Sequence, residues 1–142
     1  MIEKKVIGKK INELSVGDSD SFTKTITDSD VRAFGEVSGD MNPAHFDNEY
    51  ASKTIFKKRI AHGMLCASLF STILGTKLPG YGTIYLSQEV KFLAPVYLND
   101  KLTATATVKE ILEKNRVIME TITVNQDGVI VIKGSAVVMP PR

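Results

Sequence analysis

The sequence has no tryptophan, a single cysteine (Cys66) and only two histidines, His45 and His62. One cysteine excludes an internal disulfide framework and suits a reducing compartment. With one Cys and two His, no Cys/His zinc site is expected. A charge of one sign is also missing: 18 Lys plus Arg stand against 16 Asp plus Glu, a net +2. That balance lacks the footprint of a nucleic-acid-binding protein. Long apolar runs are absent too. The longest stretch free of Asp, Glu, Lys and Arg spans 60–76 and holds His62, Gly63, Ser68, Ser71 and Thr72. A membrane span needs ~20 mostly apolar residues, so this stretch reads as a core helix. The opening MIEKKVIGKK is charged and has no apolar centre, so no secretory signal is expected. These absences point to a cytoplasmic protein with no membrane or nucleic-acid partner.

What is present is ordinary for a globular chain: 142 residues, 43% hydrophobic and 24% charged. The length predicts one domain over 1–142. No repeat, linker or low-complexity tract divides it. Residues 1–20 read as a lead-in, with turn chemistry at Val16-Gly17-Asp18. Thr27-Asp28-Ser29-Asp30 offers a capping box, with Thr27 as N-cap and an acid three residues on. Val31, Phe34 and Val37 recur at helical spacing, and Gly39 can end that helix. A short helix is expected over 48–53.

The strongest helix is predicted over 60–74. Met64, Leu65, Ala67, Leu69, Phe70, Ile73 and Leu74 leave it almost no polar face, which predicts a central, enclosed helix. Gly75 is a plausible C′ residue, and Leu78-Pro79-Gly80 a turn. Beyond it the pattern changes to alternation. Ile84, Leu86, Val90 and Phe92 alternate with polar partners, as do Leu102, Ala104, Ala106 and Val108. Segments 117–124 and 129–139 are rich in β-branched residues and meet across Gln126-Asp127-Gly128, a hairpin turn. One enclosed helix followed by antiparallel strands makes the class α+β, a sheet wrapped around a helix. Open sheet edges favour pairing with a second copy.

The most unusual stretch is Ser38-Gly39-Asp40-Met41-Asn42-Pro43-Ala44-His45. On a continuous helix, Asp40 and His45 would point about 140° apart. Gly39 and Pro43 break that geometry, so a bent loop can aim both side chains at one water for general acid–base work. A base near neutral pH needs apolar walls around Asp40. The plainer reading is that Asp40 caps the turn and His45 is a satisfied loop residue. His62-Gly63 opens the long helix, where the first N–H groups lack internal partners. Gly63 lets a ligand oxygen approach its N–H, the geometry of an oxyanion hole. Equally, Gly63 can serve packing and His62 can cap the helix. Lys57-Lys58-Arg59 is either a phosphate-binding run or a solvated face. Cys66, mid-helix among apolar residues, reads as an inert core residue.

Phe34, Ser38, Gly39, Asp40, Asn42, Pro43, His45 and Ala51, followed by Ala61-His62-Gly63-Met64, Ile84-Tyr85-Leu86, Phe92 and Pro95-Val96, resemble the MaoC-like, (R)-specific enoyl-CoA hydratase family. Ala44 departs from the larger aliphatic usual there. The resemblance covers about 15–140. It implies a hot-dog fold, a homodimer, and syn hydration of a trans-2-enoyl-CoA thioester to an (R)-3-hydroxyacyl-CoA. Asp40 and His45 are then the catalytic pair and the Gly63 N–H the oxyanion donor. Asn42 is a candidate for the substrate site, and Ser71 and Leu74, on the long helix, are candidates for the closed end of the pocket. No metal, nicotinamide or flavin cofactor is required. A hot-dog thioesterase, an acyl-carrier-protein dehydratase and a non-catalytic acyl-CoA-binding module are the competing readings.

Overall fold

A computed structural model describes residues 7–142, so the start of the lead-in, 1–6, lies outside the described residues. After a 3₁₀ turn at Ile11–Glu13 come β1 (Ser19–Thr25), α1 (Asp28–Ser38), a second 3₁₀ turn (Pro43–His45) and α2 (Asn48–Ser52). Then follow α3 (Gly63–Thr76), β2 (Ile84–Phe92), β3 (Lys101–Leu112), β4 (Arg116–Val124) and β5 (Ile130–Met139). The strands form one sheet in the order β1-β3-β4-β5-β2, and every pairing is antiparallel.

Alternation builds the inner face of the sheet. Leu102, Ala104, Ala106 and Val108 of β3 are buried in turn, as are Val117 and Met119 of β4. The alanines leave room for α3, which packs against β3 with Cys66, Leu69, Phe70, Ile73 and Leu74 buried. Each such large side chain contributes roughly 1.5–3 kcal/mol of burial. The sheet therefore wraps a helix, the expected α+β arrangement.

The local signals of α1 hold. Thr27 Oγ1 accepts from the Asp30 N–H at 3.1 Å, and Asp30 accepts from the Thr27 N–H at 2.9 Å. Gly39 terminates the helix at φ +81°, a conformation that favours glycine.

Three expectations need correction. The lead-in runs into an unexpected strand, β1, which starts at Ser19 and whose sequence SDSFTKT has one large apolar residue, Phe22. An edge strand with one solvated face needs little apolar surface, so alternation does not flag it. The long helix begins at Gly63 rather than 60, because Ile60 bridges Tyr97 and the Ala61 N–H donates to the Val96 carbonyl at 2.7 Å. At its other end it runs through Gly75 to Thr76. Finally, α3 is not enclosed on all sides. Met64, Ser68 and Ser71 form an exposed strip one and two turns apart, with Met64 61% accessible. No helix among the described residues is long and apolar enough to cross a membrane.

Candidate active site

The site grows from a chain of short-range turns. Ser38 Oγ donates to the Phe34 carbonyl and accepts from the Asp40 N–H at 3.1 Å. Asp40 Oδ1 accepts from the Asn42 N–H at 3.2 Å, and Asn42 Oδ1 accepts from the Ala44 N–H at 3.0 Å. Asn42 thus caps the 3₁₀ turn that Pro43 opens, and this turn delivers His45 inward. His45 is 7% exposed.

The ring of His45 is fixed by its backbone partner. Nδ1 lies 2.7 Å from the Ile60 carbonyl, an obligate acceptor, so Nδ1 carries the hydrogen. That leaves Nε2 as the acceptor of the ring. Burial lowers the pKa of His45 below its ordinary value, helped by His62 and Arg59; the Ile60 bond and Asp40 act the other way. The imidazole is therefore held in the neutral form that can accept a proton.

Asp40, His45, His62 and Gly63 all line one cavity of about 460 Å³. Its other walls are largely apolar and include Phe56, Ile60, Phe92 and Ile132. The bent loop does bring Asp40 and His45 together, and it adds His62: one ligating atom from each lies within 4.8 Å of the others. Asp40 itself is exposed, so this chain alone does not wall in its carboxylate.

Gly63 opens α3 on the cavity wall. A Cβ there would meet Phe92 Cε1 at 2.7 Å, so the bare backbone lets the Phe92 ring lie against the helix start, and a side chain would have to displace that ring. Its N–H, first in α3, has no hydrogen-bond partner among the described residues and stands at the positive end of the helix.

Residues 15–130 match the MaoC like domain. This chain belongs to that family. It is 46% identical to an (R)-specific enoyl-CoA hydratase of Rhodospirillum rubrum over 91% of this chain and 90% of the relative. It is 38% identical to a 3-hydroxybutyryl-CoA dehydratase of Methylorubrum extorquens, covering 92% and 83%. The unliganded R-hydratase PhaJ1 from Pseudomonas aeruginosa superposes with a TM-score of 0.90 at 47% identity, over 95% of this chain and 87% of that one. The fold is the hot-dog fold of these MaoC-like hydratases.

Within this MaoC-like site, other expectations fare unequally. Asn42 is exposed, and its side-chain oxygen is taken up by the Ala44 N–H rather than turned to the cavity wall. Ser71 lies outside the cavity, in a separate depression of about 480 Å³ between α3 and β2 that Met64, Ser68, Tyr85 and Leu86 also line. Leu74 is buried core. Burial pushes the Cys66 thiol up to about 12, which makes it inert at neutral pH.

His62, read from sequence as a helix cap, makes no capping bond. Its ring instead stacks on His45 at 3.9 Å between centroids, with the planes 29° apart. Stacked imidazoles hold their in-plane lone pairs side by side rather than converging, so the Asp40–His45–His62 cluster is a poor metal cage despite its short spacing.

The basic run divides. Arg59 is neither solvated nor offered to a phosphate: its Nε donates to the His45 carbonyl at 2.7 Å, and its Nη2 pairs with Asp28 at the start of α1. The Asp28 carboxyl is correspondingly held below the usual range, by its bonds to Arg32 and Arg59. Arg59→Met keeps the aliphatic stem but removes both donors. Leaving the half-buried His45 carbonyl unpaired costs roughly 1–3 kcal/mol. The expected result is a Tm lower by several degrees in a thermal melt, with Lys57→Met unchanged as the control.

Proposed function

We propose that this protein is an (R)-specific enoyl-CoA hydratase, reversibly adding water to trans-2-enoyl-CoA to give (R)-3-hydroxyacyl-CoA. The observation that carries the reading is the convergence of Asp40, His45 and the Gly63 N–H on one largely apolar cavity. A water between Asp40 and the bare Nε2 of His45 has both hydrogens engaged, so its oxygen lone pair faces the substrate. As that oxygen bonds to C3, Asp40 takes one water proton and the C2=C3 electrons move to the thioester oxygen. The Gly63 N–H meets that developing charge. Asp40 then returns the proton to C2 as the carbonyl reforms. One group handles the proton on one face of the substrate, so addition is syn.

Relatives named as a hydratase and as a dehydratase fit the two directions of one equilibrium. The reading includes one domain over 1–142, a cytoplasmic setting, and a place between fatty-acid oxidation and polyhydroxyalkanoate synthesis. It also includes a homodimer. Ile84, Tyr85 and Leu86 are exposed on the free edge strand β2, beside the open strip of α3. A second copy paired there would cover both.

The deciding experiment is crotonyl-CoA turnover with chiral analysis of the product. (R)-3-hydroxybutyryl-CoA alone is expected. Free CoA would move the assignment to a thioesterase, and unchanged crotonyl-CoA and longer enoyl-CoAs would leave an acyl-CoA binder.

The CoA end has a candidate landing place. Lys57 and Lys58 line a depression of about 280 Å³ with Asn48 and Tyr97, and Lys58 Nζ sits 4.7 Å above the Tyr97 ring. The double change Lys57→Gln/Lys58→Gln is expected to raise KM about threefold to tenfold with kcat unchanged. Salt screens exposed charges, so the difference should vanish near 1 M salt. An equal KM at low salt would return both lysines to the solvent.

A further inference from the structure

His62 is 2% exposed, yet the polar atoms of its ring are only half used. Nε2 lies 2.9 Å from the backbone carbonyl of Asp40, an acceptor, so Nε2 carries the hydrogen. Nδ1 is then a bare acceptor, buried and without a hydrogen-bond partner. One face of the ring stacks on His45. Phe34 and Phe46 pack around it at 4.9 and 5.7 Å between centroids.

An orphaned buried nitrogen costs stability. Surrounded by aromatic rings, the position would be better filled by phenylalanine if packing were its whole purpose. What phenylalanine could not supply is the bond to Asp40. The other hydrogen bonds of Asp40 are local: its N–H to Ser38 and its Oδ1 from Asn42. Among the described residues, His62 is the one hydrogen-bonded tie from Asp40 to a distant part of the chain. The same ring touches His45. It therefore touches both members of the acid–base pair, and it is anchored at the start of α3, next to Gly63.

We propose that His62 is a positioning residue, its Nε2–H and ring face setting the spacing of Asp40 and His45 across the motif loop. This rests on the reading of Asp40 and His45 as the reacting pair. Misplacing a catalytic group by about 1 Å can cost 10²-fold in rate, so a small drift of the exposed Asp40 loop is enough to matter.

Three substitutions separate positioning from packing. His62→Phe keeps an aromatic ring beside His45 and removes the donor. His62→Gln loses the ring, but its amide nitrogen reaches the place of Nε2. His62→Asn has an amide too short to reach it. Packing alone ranks Phe above Gln in both Tm and activity. Positioning predicts the opposite order for activity: kcat on crotonyl-CoA falls about tenfold to hundredfold in Phe and Asn, while Gln stays within about threefold of the parent. KM should change less than kcat in all three, since only one wall position of the cavity is altered. Equal kcat in Gln and Asn, or Phe matching the parent, would overturn the proposal. Should Phe fail to fold, the contrast between Gln and Asn decides alone. Failure of the underlying reading shows separately, as near-parental turnover of Asp40→Asn in a chain that retains His62.

Discussion

Asp40→Asn is expected to fold normally and to lose about 10²–10⁴-fold in kcat on crotonyl-CoA. The asparagine oxygen can still accept the Asn42 N–H that Asp40 Oδ1 holds now, so the turn survives. What disappears is the charge that, in the proposed mechanism, takes the proton from water. His45→Asn makes the complementary test. Its amide nitrogen falls near Nδ1 and keeps a donor for the Ile60 carbonyl, while the Nε2 acceptor is gone. A loss of similar size is expected, with the thermal melt little changed. Near-parental turnover in either variant would remove that residue from the mechanism. The pH dependence carries the same information. Burial lowers the pKa of His45 below 6.5, so Nε2 is bare above that pH and kcat/KM should fall only on the acid side of it. Stability has the same sign. Below pH 6.5 the unfolded chain binds a proton that the folded His45 resists, so this contribution is present above 6.5 and is lost as pH falls through the lower folded value.

Gly63→Pro is expected to lower kcat about 10²–10³-fold relative to Gly63→Ala, the size seen when one oxyanion donor is removed. The comparison is unusually clean for the backbone. Gly63 is the first residue of α3, where proline suits the helix. His62 before it has ψ 133°, the extended conformation a following proline requires. Both variants add a Cβ that displaces the Phe92 ring, so that effect cancels between them. Beyond that Cβ, proline replaces the N–H by a ring carbon, so the donor is lost and its place is filled. Equal rates in the two variants would place the carbonyl donor elsewhere in the cavity.

Sequence signals were most legible where the cause is local. The capping box at Thr27, the stop at Gly39 and the alternation of β3 each depend on neighbours in the chain, and each is observed. The spacing of Asp40, Pro43 and His45 indicates a bend, and the bend brings the two side chains to one cavity. Other features depend on contacts far along the chain. β1 exists because β3 offers it seven paired positions, from Ser19↔Thr107 to Thr25↔Lys101, and its own residues scarcely favour a strand. The helix start is delayed by pairing of 60–61 with 96–97. His62 sits one residue before Gly63, which makes a cap the natural expectation; its turn toward Asp40 depends on a loop that no local spacing encodes. As the sequence's only other histidine, it was nevertheless the one remaining signal for a second imidazole at the site. Arg59 likewise reads as one of three adjacent cations, and only its distance from Asp28 and His45 in the fold separates it from Lys57 and Lys58.

The two bonds at His45 form a closed neck. Its carbonyl is held by Arg59 and its Nδ1 by Ile60, so the chain leaves the site after His45 and returns to the same point fourteen and fifteen residues later. Between them, Phe56 reaches the cavity wall, while Ile55 beside it is 87% exposed. The exposed part of the excursion around Ile55 can thus be resurfaced with its ends still fastened at the neck. Evolution, or an engineer, has a handle at Phe56 on the shape of the cavity wall, while Phe46 stays packed against His62.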